Sequence, residues 1–184
     1  MTTAILEPPS VTSPLVEPAP EVSAEPRPKE LLLIAYSGDL EKIWATMILA
    51  STSGAMGVKT RVFVTFWGLP AFVRDDRRMP GENWMQKMMA VMQRPGIGHR
   101  KLSTMNFLGM GPWMMRKLAK QYHVASPKEL LAAAQLMGVE FIPCQMTMDM
   151  FGLKPEDMIE GMGEPVGAAT VIGLLTEDSV PIFI

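Results

Sequence analysis

The sequence predicts an α/β fold, a Rossmann-like three-layer sandwich on a mostly parallel sheet, from three observations. Apolar runs of strand length recur along the chain. Segments with helical start and stop signals separate them. The first two runs are joined by a helix-length stretch, the connection that parallel neighbours need.

Taken in order, residues 1–28 hold seven of the sixteen prolines, interleaved with Glu, Ser and Ala. Such a segment buries too little apolar surface to offset its ordering entropy, so a disordered Pro-rich tail is expected there and a folded domain over 29–184. Leu31-Leu32-Leu33-Ile34-Ala35-Tyr36 reads as a strand buried on both faces. Ser37-Gly38-Asp39 is a turn, with Asp39 placed to cap a helix from Leu40 to about Met56 that Gly57 stops. Lys59 to Phe66 is a second strand, completing a right-handed βαβ unit.

Beyond it, a helix over Trp84–Gln93 is broken by Arg94-Pro95-Gly96-Ile97-Gly98, and a glycine-rich loop follows. Pro112 opens a helix to about Tyr122. Ser126-Pro127-Lys128-Glu129 is a capping-box start for a helix that ends at Gly138. Val139 to Pro143 is a short third strand ending at Cys144. Lys154-Pro155-Glu156-Asp157 starts a short helix, Val166 to Thr176 forms another, and Val180 to Ile184 is a terminal strand. No internal repeat is present.

The net charge of −2 and the absence of a basic stripe exclude an electrostatic nucleic-acid binder. The densest basic groups are Arg74/Arg77/Arg78 and His99-Arg100-Lys101, enough for an anion or partner contact at best and more ordinarily a solvated face. A single cysteine cannot form an internal disulfide, which predicts a reducing, cytoplasmic setting. Residues 1–28 carry four glutamates and no apolar core of signal-peptide length. Ile43 to Val58 is too short and too rich in Ser, Thr and Gly to span a bilayer, and reads as a buried helix. Nine of the 18 methionines lie between Met79 and Met115. They predict a soft core or oligomer interface, with a docking surface, a membrane-facing patch or a Cu(I) site as sharper readings.

Ligands of open parallel sheets bind beyond the carboxyl ends of the strands. Ser37-Gly38-Asp39, Trp67-Gly68 and Cys144-Gln145-Met146 should meet there. A helical turn starting after Cys144 would offer free backbone N–H groups to its thiolate, the nucleophilic form. The competing reading is a buried, inert cysteine. A lone cysteine excludes CxxC redox chemistry, and neither His99 nor His123 has the carboxylate spacing of a triad partner. Ser37-Gly38-Asp39 can form an anion nest, but it lacks the GxGxxG or GxxxxGK spacing, so no nucleotide cofactor is expected. Cys144, Met146, Met148 and Met150 alternate as soft ligands for Cu(I) would in a strand; in a helix only Cys144 and Met148 would lie together. No metal site is therefore expected.

Four stretches then carry a resemblance: Tyr36-Ser37-Gly38-Asp39-Leu40-Glu41-Lys42, Thr65-Phe66-Trp67-Gly68-Leu69, Lys101 to Phe107 with its following Gly-Met-Gly, and Cys144 to Leu153. They resemble the DsrE/DsrF-like family, and more narrowly its branch often labelled peroxiredoxin-like and found with sulfur oxidation genes. The resemblance spans about Lys29 to Ile184. It implies a Rossmann-like sheet of about five strands, a homo-oligomer, and an active cysteine corresponding to Cys144 that accepts sulfane sulfur. It also implies rhodanese-type donors and TusA-type carriers as partners. Some relatives carry a second cysteine or a membrane-associating segment, and this chain shows neither clearly. The expected function is persulfide relay on Cys144, in a pocket of Ser37, Gly38, Asp39, Trp67, Gly68, Gln145 and Met146, with residues 95–111 as docking surface or lid. The alternatives are a non-catalytic assembly or membrane-adaptor protein and a Cu(I) carrier.

Overall fold

The computed structural model describes residues 29–77, 84–92 and 94–184. The expected tail at 1–28, Arg78 and Met79 lie outside the described residues. β1 (Glu30–Ala35) leads through the turn at 36–39 into α1 (Leu40–Ala55). β2 (Lys59–Val64) then pairs parallel with β1, Leu33 opposite Val62. Gly57, at φ 73°, takes the left-handed position that stops α1. A 3-10 helix (Phe66–Phe72), α2 (Trp84–Met92), α3 (Met110–Gln121) and α4 (Pro127–Leu136) precede β3 (Glu140–Pro143). The expected capping box at α4 forms: Ser126 Oγ accepts from the Glu129 backbone N–H, and the Glu129 carboxylate accepts from the Ser126 N–H. α5 (Gln145–Phe151), α6 (Ala168–Gly173) and β4 (Ser179–Phe183) complete the chain.

The sheet runs β3-β2-β1-β4, every pair parallel, with helices on both faces. It has four strands among the described residues, not the five that the family resemblance implies. The chain offers four apolar extended runs and each forms a strand. The intervening loops turn through glycine-rich 3-10 helices, such as Ile97–His99 and Phe107–Gly109, and present no further run to an edge. β4 is an edge strand, where Pro181, lacking an N–H, is tolerated.

One face of the sheet carries the larger core. Leu33, Ala35, Val62, Val64 and Phe141 pack there with Ile43, Met47 and Ala50 of α1 and Leu131 and Ala134 of α4. The spacing of the α1 residues puts them on one helical stripe. Phe72 and Phe141 meet at 5.7 Å between ring centroids in a tilted arrangement, which adds to their area burial. The opposite face holds a smaller cluster of Leu32, Phe63, Ile142, Cys144 and Val171 under α6.

Two expectations are corrected. Asp39 occupies the N-cap position of α1 but makes no side-chain cap bond; its carboxylate accepts from Ser37 Oγ at 2.9 Å and pairs with Lys42 at 3.1 Å. The methionines of 79–115 whose side chains are described do not build a soft core within this chain. Met85, Met88, Met105, Met110, Met114 and Met115 are all exposed, beside exposed Phe107, Leu108, Trp113 and Leu118. No helix among the described residues is long and apolar enough to cross a membrane.

Candidate functional site

Cys144 sits where β3 ends and α5 begins, as the N-cap residue of α5. Its backbone N–H donates to Val64 O at 2.9 Å, and Gln145 N–H donates to Val166 O at 3.0 Å, so the junction is held from both sides. The next strand ends in a constrained turn. Phe66 takes φ 43°, a region bulky residues avoid, and this lifts the chain out of β2 after Val64. The Phe66 N–H donates to Thr147 Oγ1 at 3.2 Å, and Thr65 Oγ1 lies 3.1 Å from Thr147 Oγ1. Two hydroxyls, one from β2's end and one from the first turn of α5, therefore converge beside the cysteine.

The balance on that thiol is between solvent exclusion and these donors. Burial pushes the Cys144 thiol up. The Thr147 and Thr65 hydroxyls and the Thr147 and Met146 backbone N–H groups outweigh it and hold the thiol below its ordinary value. Cys144 is 7% exposed and packs with Leu32, Phe63, Ile142 and Val171. Little of its surface therefore meets solvent.

Around the ends of β1 and β2 lies a separate cavity of about 860 Å³. Ser37, Gly38, Asp39 and Trp67 line it, together with Arg94, His99, Arg100, Lys101 and Arg116. Arg100 is 4% exposed. Burial lowers its pKa to about 10, partly opposed by Asp75, so it stays charged at neutral pH. Its Nη2 donates to the Arg94 carbonyl, while its Nε is buried with no partner.

The expected pocket is thus divided. Ser37, Gly38, Asp39 and Trp67 face the basic cavity, whose lining does not include Cys144, Gln145 or Met146. Gly68 packs under the β1 end: its N–H donates to Tyr36 O at 3.1 Å, and a Cβ there would stand 2.4 Å from Ala35 O. Gln145 bonds Asp149 at 2.7 Å and Met146 points to solvent. The alternating methionines do not gather round Cys144, because α5 is a helix. Met148 enters the larger core, on the other face of the sheet from the Cys144 cluster, while Met146 and Met150 are exposed.

Thr65, Thr147, Arg100 and Arg116 were not legible as site residues. Thr147 follows Cys144 at the spacing of a first helical turn, which is the one signal that pointed to it. Arg100 stands in a short basic run that looks the same whether solvated or buried.

A model of the DsrE/DsrF/DrsH-like family matches residues 27–183. The uncharacterized protein YrkE of Bacillus subtilis (strain 168) is 32% identical over 156 residues, covering 85% of this chain and 97% of that one. The sulfur carrier protein DsrE2 of Allochromatium vinosum is 33% identical over 160 residues, covering 85% of this chain and 98% of that one. A solved structure of a protein of unknown function from Methanobacterium thermoautotrophicum aligns over 84% of this chain and 98% of its own, with TM-score 0.49 and 12% identity. The motifs at the ends of β1, β2 and β3 and the match across the whole described domain lead to one assignment: the chain belongs to the DsrE/DsrF/DrsH-like family.

Proposed function

We propose that this protein is a sulfur carrier that holds sulfane sulfur as a persulfide on Cys144 and passes it between partner proteins in a reducing compartment. The observation that carries the reading is the set of donors around Cys144, namely the Thr65 and Thr147 hydroxyls and the Met146 and Thr147 N–H groups, which favour its thiolate. The name of the Allochromatium relative supports the same chemistry.

In the forward step the Cys144 thiolate attacks the outer sulfur of a donor persulfide. A Cys144–S bond forms, the donor's S–S bond breaks, and the donor leaves as a thiolate. The return step is the same exchange with an acceptor thiolate attacking the outer sulfur and Cys144 leaving. No external oxidant or reductant enters either step. The outer sulfur of the persulfide stands about 2 Å beyond Sγ. A donor of rhodanese type and an acceptor of TusA type fit a site reached by protein thiols, and the exposed Met, Phe and Trp side chains of 105–118 supply apolar surface for docking.

Mass spectrometry after incubation with polysulfide or a persulfidated carrier tests this. A stable gain of one sulfur atom, absent in Cys144→Ser, is expected. No gain from any donor overturns the proposal. A second reading, a non-catalytic assembly or adaptor protein, draws on the burial of Cys144. It requires native Cys144 to react with iodoacetamide far more slowly than in the unfolded chain at every pH.

A further inference from the structure

We propose that the cavity at the carboxyl ends of β1 and β2 binds a small molecule through a tetrahedral oxoanion, a phosphate- or sulfate-type group held by Arg100, Arg116 and Lys101. The charge arrangement comes first. Arg94, Arg100, Lys101 and Arg116 line one concavity, and among the described residues none of them forms an ion pair. Among the described residues the only carboxylate in the wall, Asp39, is already engaged by Lys42 and the Ser37 hydroxyl.

Arg100 is the deciding residue. A guanidinium this deeply buried is costly unless an anion partners it, and the nearby Asp75 carboxylate, which forms no ion pair with it, offsets that cost only in part. One nitrogen is taken by the Arg94 carbonyl, Nε has no acceptor, and Nη1 lies 3.4 Å from where a Cβ on Gly38 would stand. A side chain at Gly38 would crowd that nitrogen as well as the Trp67 carbonyl oxygen, so the turn beside Arg100 has room only for glycine. A planar fork with free donors matches an oxoanion's paired oxygens. Arg116 is fixed beside it, donating to Gly98 O at 2.8 Å and Arg100 O at 3.2 Å.

A helix end adds to the positive field. Gly109 and Pro112 bring the N-terminus of α3 to the cavity, and no acidic residue occupies its first turn. The positive end of a twelve-residue helix therefore adds to the field. Asn106 Oδ1 is also buried without a partner, placed to accept from a protonated oxygen or hydroxyl of the ligand. The concavity and the depth of Arg100 favour a small molecule over an acidic protein surface, whose backbone could not follow its charge to that floor.

Isothermal titration of the full chain with inorganic phosphate, sulfate and pyrophosphate, at fixed ionic strength in chloride, tests the proposal. At least one oxoanion binds saturably. Arg100→Gln weakens it by about 10-fold or more and Arg116→Gln by about 5-fold, as loss of charge-assisted hydrogen bonds requires. Lys128→Gln, on α4, leaves it unchanged. Should Arg100→Gln fail to fold, the exposed pair Arg116→Gln and Lys101→Gln together reads the same loss. Cys144→Ser, outside the cavity, binds like the parent, so failure of the persulfide reading leaves this result standing. Binding no tighter than chloride, full affinity in the Arg116/Lys101 double variant, or binding of a polyglutamate peptide but of no free oxoanion would each overturn it.

Discussion

Gly38 and Gly68 interlock the turns that follow β1 and β2, and replacing either with alanine tests that geometry directly. An added Cβ at Gly38 would stand 2.2 Å from the Trp67 carbonyl oxygen, and at Gly68 2.4 Å from the Ala35 carbonyl oxygen. Carbon–oxygen contacts of this kind settle at about 3.3–3.6 Å, so the backbone must open by about 1 Å. The Ala35 carbonyl cannot retreat freely, because it accepts from the Thr65 N–H at 3.0 Å. Overpacking against fixed backbone costs about 1–3 kcal/mol and a weakened hydrogen bond about 1 more, which gives a destabilisation of about 2–4 kcal/mol for each variant. At a urea dependence of about 2 kcal/mol per molar, the midpoint falls by about 1–2 M. Gly173→Ala is the control: it meets nothing within 4 Å and lies in α6, so its midpoint holds or rises slightly. Equilibrium urea unfolding followed by tryptophan fluorescence reads all three. Parent-like midpoints in Gly38→Ala and Gly68→Ala would refute the close approach of the two turns.

Thr147→Val removes the hydroxyl that does most to offset burial at Cys144, so the thiol's pKa rises and the pH profile of iodoacetamide alkylation moves to higher pH; an unmoved profile contradicts the donor arrangement. The folded thiol lies below its unfolded value, so its stabilising contribution is present above the unfolded pKa and fades as pH falls through the folded one. Arg61 bridges Glu30 of β1 and Glu140 of β3, and Arg61→Met should cost about 2–3 kcal/mol, less than for a fully buried pair because Lys59 stays 3.4 Å from Glu30. Burial pushes the Glu30 carboxyl up, but Ser179, Arg61 and Lys59 overcome this and hold it below its ordinary range. Its contribution is thus present above the unfolded carboxyl's pKa and lost as pH falls through the folded value. The cost of Arg61→Met in urea unfolding should shrink across that acid window, and a cost constant with pH would contradict the pairing. Phe72→Ala, in the core against Phe141, should lower stability by about 3–5 kcal/mol, and a loss under 1 kcal/mol in urea unfolding would contradict its burial.

Much of the fold was legible in the chain. Leu31–Ala35 announced a doubly buried strand, Gly57 the end of α1, and Ser126 with Glu129 the start of α4, because each is a local signal that works through its own neighbours in sequence. The order of the strands and the burial of Arg100 carry no such local mark. Neither does the meeting of Thr65 with Thr147 across 82 positions.

The sequence by itself determined that this is a parallel α/β domain of the DsrE/DsrF type, with its one cysteine closing a strand. Periodicity, caps and breakers act over a few residues and can be read in a line. The tertiary structure alone decided that Cys144 rests between two threonine hydroxyls in a small packed cluster, while the turns after β1 and β2 open onto an arginine-lined cavity of their own. Those outcomes depend on which strand lies beside which, and on how much water each group loses when the helices close over the sheet.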